Sequence, residues 1–363
     1  MERRVEGQPP TLEPAALAML PLRCRRRLQA VERAVAAAAP ASAEGSRTEG
    51  SPARWDEELG AWRPKSPDDP ESDEEDEVSP SGRLPEPELC LDILGVTEPW
   101  FCEEVKGVFS QMVSVWGVPI YATAGVPAAK LSHAANVLAQ WIDNDEDGVA
   151  DCPAVLARLV ADDASLIMTA TSEEMDEIGF SQFNRLRSYL SNTQGLYAEE
   201  TAPEDGFDAC LEEVLHLVTQ KGYGRVFADL DDSKFVTGNR LSDAMDAARG
   251  GRFPGGMPVD QYPEECWYSY NDVTCTYGCQ KTEYLYWLLS SYLGAQSTPG
   301  GEREKQIYHE WKLSSRQMLT EGDGKGHGPD TLGVALLEEP SYGLPIHRCP
   351  DGHYKGPTVS RKA

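Results

Sequence analysis

The chain has 363 residues, 60 acidic against 33 basic side chains and a formal net charge of −27. That balance argues against nucleic acid and anionic membranes as partners, because both are bound through lysine and arginine on phosphate. No apolar run approaches the roughly 18 residues needed to cross a bilayer.

Residues 1–87 are rich in Pro, Ala, Ser, Glu and Arg and poor in large apolar side chains. Such a segment buries too little surface to offset its ordering entropy, so a disordered, acidic low-complexity tail is expected. Its apolar stretch 15–22 follows Glu13 and precedes a basic run, the reverse of a secretory leader. Residues 15–43, Ala- and Arg-rich, have a faint transit-segment character. Apolar residues then recur with structural periods over 88–344, enough for one globular domain, and a loop-like tail follows over 345–363.

Within the domain, Val105, Val108, Phe109 and Met112 at helical spacing predict a helix over 103–116. Residues 118–123 read as a strand and 128–142 as a helix. Pro153 opens a helix over 154–160. Residues 165–171 read as a buried strand and 172–190 as a helix begun by Ser172. An amphipathic helix is expected over 207–221, stopped by Gly222. Further helices are expected over 239–249, 281–293 and 302–319, with loops beyond Gly322. Helices dominate and strands are few, which makes the class α+β, mainly helical.

The segment 143–151 reads Asp-Asn-Asp-Glu-Asp-Gly-Val-Ala-Asp. Asp143, Asp145, Asp147 and Asp151 point alternating carboxylates at one centre, the Val149 carbonyl adds a ligand, and Gly148 allows the sharp bend. That is the oxygen-rich chemistry calcium selects, set between two helices. The twelfth position is Ala154 instead of Glu, so the loop resembles short DxDxDGxxD calcium loops and a structural or weak Ca2+ site is expected. The alternative is an acidic solvated turn.

On the helix over 207–221, Phe207, Cys210, Leu211, Val214 and Val218 form an apolar face, with Glu212, Glu213 and His216 opposite. Residues four apart share a face, so Glu212 and His216 can reach one metal. The run Glu212-Glu213-Val214-Leu215-His216 resembles the HExxH helix of zincin metallopeptidases, with Glu at the first ligand position. The resemblance implies Zn2+, His216 and Glu212 as ligands, Glu213 as general base, and a peptide or protein substrate. Gluzincin-type enzymes add a Glu from a later helix, and Glu283 is the candidate here. Its helix is apolar nearly all round, and a buried carboxylate needs a partner. The alternative is a solvated helix face on a non-catalytic, calcium-stabilised binding or structural domain. The loop ending at Asp151, followed by Glu213–His216, also resembles a family of secreted proteins, without implying a reaction.

There are nine cysteines. Cys24 lies in the tail. The other eight permit up to four disulfides and lean toward the secretory pathway or extracellular space, with buried free thiols as the alternative. Cys275 and Cys279 lack a second pair for a zinc ribbon, so a disulfide is expected there.

Overall fold

A computed structural model describes residues 105, 107–186, 190–204, 206–233, 235–298 and 300–356, together with the backbone of two short strands, β1 (Ala53–Asp56) and β2 (Ala61–Pro64). Those two strands pair antiparallel, Ala53 opposite Pro64, within the expected disordered tail. The remaining expectations for 1–104, including Cys24, Cys90 and Cys102, lie outside the described residues, as do residues 357–363 of the C-terminal tail.

The described domain is α+β and mainly helical. Its sheet has the order β3 (Gln111–Val115), β4 (Val118–Ala122), β5 (Ser165–Thr169), β6 (Thr193–Tyr197). β3 and β4 form a hairpin turned by Trp116 and Gly117, both at positive φ, as the right-handed strand twist favours. β4, β5 and β6 run parallel, joined by α1 (Ala128–Ile142), α2 (Pro153–Ala161) and α3 (Ser172–Leu186). β5 is buried at every position, as a strand covered on both faces must be. One face meets the main core, and the other meets a small cluster of Val105, Phe109, Met112, Ile167, Leu186 and Leu190.

The chain continues through α4 (Cys210–Val218), α5 (Arg240–Ala248), α6 (Tyr277–Tyr292), α7 (Glu302–Ile307), α8 (Arg316–Glu321) and α9 (Thr331–Leu337). Among the described residues no helix is long and apolar enough to cross a membrane.

Four local expectations are corrected. Residues 111–115 are a strand, not the end of a helix: Val105, Phe109 and Met112 do share a cluster, but from different elements. Gly222 does not stop α4. The chain widens there into a π turn (Thr219–Tyr223) and continues to Val226, and a Cβ at Gly222 would lie 2.6 Å from Val155, so the glycine serves close packing against α2. The single helix over 302–319 is two. Between them, Ser269 N–H donates to Glu310 and Lys312 N–H to Trp267, and Ser315 caps the new start. The loop region beyond Gly322 contains α9, capped by Asp330.

Cys275 and Cys279 form a disulfide, while Cys152, Cys210, Cys266 and Cys349 are free thiols. Six of the eight domain cysteines are described, and they form this one disulfide.

Candidate metal centres

The acidic loop follows the last turn of α1 and is closed by Asp151 N–H donating to the Ile142 carbonyl. Asp143 is fully buried. Its carboxylate accepts the Gly148 amide at 2.9 Å, the Asp147 amide at 3.2 Å and the Tyr354 hydroxyl. Asp145 accepts the Asp147 amide, Asp147 the Val149 amide, and Asp151 the Asn144 amide. Gly148 has φ 90°, the backbone bend expected at the sixth loop position. Ligand atoms of Asp143, Asp145 and Asp147 lie within 4.8 Å of one another, and so do those of Asp145, Asp151 and His347. Burial pushes Asp143 up to about 6 and Asp151 up to about 7, with neighbouring acids adding to both.

His347 belongs to a C-terminal segment wrapped over the loop. Asn144 Oδ1 accepts the amides of His347 and Arg348, and Arg348 pairs with Glu146 at 2.6 Å. Gln140 accepts the amides of Asp351 and Gly352. Nothing local at 143–151 indicates that a segment about two hundred residues later completes its surroundings.

The second group lies between α4 and α6. Glu212, His216 and Glu283 bring one ligand atom each within 4.8 Å of the others. His216 is only 5 % exposed. The solvated-face alternative therefore does not describe this helix, because α6 packs across the face opposite the apolar stripe. α6 is itself buried at most positions, with Tyr284, Leu285, Leu288 and Leu289 in the core.

The two imidazole nitrogens meet different neighbours. Nε2 stands 3.6 Å from Glu283 and has no hydrogen-bond partner. Nδ1 faces Glu213 at 3.7 Å. Glu213 in turn accepts from the Gln194 amide on β6 at 2.5 Å. Burial disfavours the His216 cation, but Glu213, Glu283 and Glu212 outweigh it and hold the imidazole at about 9. Burial pushes Glu283 up to about 7, helped by Glu212 and Glu213 and opposed by His216. Burial also raises Glu212, opposed by His216.

A buried nitrogen without a hydrogen-bond partner, grouped with the Glu212 and Glu283 carboxylates, fits a divalent cation. A single imidazole with two carboxylates is a donor set that zinc accepts, with a position left open. Glu213 stands apart from the three, on the far side of the ring.

A third group, His133, Asp208 and Cys210, is internal bracing. Asp208 accepts the amides of Ala202 and Cys210 on one oxygen and meets His133 at 2.6 Å on the other. His309 and Glu310 lie 3.5 Å apart, with His309 exposed.

No protein-family model matches this chain, and no curated protein or solved structure matches it.

Proposed function

We propose that this chain is a divalent-cation protein with two centres, a calcium-type loop at Asp143, Asp145, Asp147, Val149 and Asp151 and a metallopeptidase-like zinc centre at Glu212, His216 and Glu283. The observation that carries the reading is the buried His216 Nε2, without a hydrogen-bond partner and 3.6 Å from Glu283, grouped with Glu212 and Glu283 from helices far apart in sequence. A buried acceptor or donor without a partner costs about 1–3 kcal/mol, which a bound metal would remove. Zinc held there would act as a Lewis acid on a substrate carbonyl and acidify a water. The chain's own part is to hold the ligands, to limit water around His216 and to keep Glu213 beside the ring. The reaction class is hydrolysis of a peptide-like bond.

A second reading, a non-catalytic metal-stabilised domain, is favoured by one observation. Glu213, the base in the zincin resemblance, faces Nδ1 and is tied to Gln194. In that place it orients the ligand, as outer carboxylates do at many metal-bound histidines.

Elemental analysis of the full-length protein tests both. The expected result is one zinc per chain, absent after His216→Ala. If zinc is missing from the parent and also from Glu212→His, the zinc centre is refuted. Cleavage of a mixed peptide substrate by the zinc-loaded chain, stopped by a chelator, selects the hydrolase. Zinc without cleavage selects the second reading.

A further inference from the structure

Arg303, in the first turn of α7, is held unlike several other arginines of the domain. Arg158, Arg240, Arg249, Arg316 and Arg348 each pair with a carboxylate. Arg303 sits over an aromatic platform, its Cζ 3.8 Å from the ring centre of Phe207 and 5.7 Å from that of Trp287. Its Nε donates to Gln296 at 2.8 Å. Gln296 is fully buried and fixed by its own donations to Tyr286 and Ser290, at 3.0 Å each. Among the described residues, the terminal guanidinium nitrogens have no hydrogen-bond or ion-pair partner.

The same contacts lead to the buried centre. The Tyr286 ring stands edge-on to His216 with centres 5.9 Å apart, and Phe207 precedes the helix that carries Glu212. Burial raises the Glu212 and Glu310 carboxyls, and the positive charge of Arg303 reaches both and opposes that rise, as His216 and His309 do more strongly. Simple coverage of Phe207 by a long side chain explains the stacking. It does not explain a buried glutamine that fixes the rotation of the guanidinium and leaves its outer edge unengaged.

We propose that Arg303 is the anchoring subsite of this centre and takes a carboxylate of a peptide-like ligand. A guanidinium fork matches a carboxylate with two parallel hydrogen bonds, and stacking orders it in advance. The neighbouring side chains Glu212, Glu213 and Glu283 repel an anion, so Arg303 draws the carboxylate to its own side and thereby orients the ligand. The inference rests on the reading of the Glu212–His216–Glu283 group as a substrate-facing centre.

The test is calorimetric titration of the zinc-supplemented full-length chain, with zinc content measured on every sample. The probes are N-acetylglycylphenylalanine, its C-terminal amide, and N-acetylglutamate α-amide, which carries only a side-chain carboxylate. A carboxylate probe is expected to bind about tenfold or more tighter than the neutral amide, the scale of a charge-assisted pair. Arg303→Gln removes that preference at parental zinc content, and Arg303→Lys keeps part of it. Preference for the first probe assigns a terminal carboxylate, and preference for the third a side chain. Equal or absent binding of acid and amide, or a preference that survives Arg303→Gln, overturns the subsite. A parent that prefers the acid yet holds no zinc keeps the subsite and overturns the metal reading.

Discussion

The acidic loop and the buried Glu212–His216–Glu283 group gather carboxylates by opposite means. In the loop, five acids fall within nine residues; the four aspartates accept the loop's own backbone amides, and Glu146 pairs with Gln140 and Arg348. In the buried group, two helices distant in sequence supply the donors, and one nitrogen makes no hydrogen bond. The first arrangement is locally stable and adjustable. The second is an energetic debt within the fold that a cation would cancel, so removing a ligand should act more sharply there.

The largest effect that separates the two regions is His216→Ala, expected to abolish zinc retention by elemental analysis while leaving any calcium response intact. Loss of both responses together would break the distinction between two independent centres.

Asp143→Ala is the mirror change. At calcium about 100-fold over its dissociation constant, one-site linkage stabilises the parent by about 2.7 kcal/mol. Thermal unfolding should show that gain in the parent and none in the variant, with zinc content unchanged. A calcium gain that persists would remove Asp143 from the site.

Glu213→Gln sharpens the contrast within the buried group. If Glu213 only orients His216 from the Nδ1 side, zinc affinity should weaken about 10–100-fold without being lost. A competition titration against a chromogenic chelator measures it. Unchanged affinity would return Glu213 to the role of base.

Tyr354→Phe removes the hydroxyl that Asp143 accepts, with an expected cost of about 1 kcal/mol in denaturant unfolding. No change would show that the Tyr354 hydroxyl adds nothing to the bracing of the loop.

The remaining contrast is a pH slope in chelator. Burial holds Asp151 at about 7 and Asp143 at about 6, whereas an unfolded aspartate titrates near 4. Between those values the folded chain binds more protons than the unfolded one, so stability should fall as pH rises from about 4 to 7. Calcium should flatten the slope in a melting-temperature series. A flat profile in chelator would mean that the loop carboxylates ionise freely.

Where the chain's short-range pattern is sufficient, the sequence and the fold agree closely. The helix over 128–142 has the bounds of α1, and the acidic spacing brings Asp143, Asp145 and Asp147 together because alternation and one glycine act within a single turn. The strand over 111–115 was not legible, because residues buried by separate elements can mimic a helical period. The break at 308–315 was not legible either, since it is imposed by pairing with 267–269.

In the buried group, residue type and helical spacing single out Glu212, Glu213, His216 and Glu283, but their environment came only with packing. Whether Glu212 and His216 faced water depended on α6 lying across them. Whether Glu213 stood beside the other carboxylates or across the ring depended on Gln194 of β6. His347 and Arg303 carried no local signal, because His347 meets Asp145 and Asp151 from a distant segment and Arg303 takes its place over the ring of Phe207. Sequence alone singled out the acids of 143–151 and the Glu212–His216 pair, since covalent spacing fixes near neighbours. Tertiary structure alone decided their burial, partners and orientation, since desolvation and long-range hydrogen bonds exist only once the helices and strands have met.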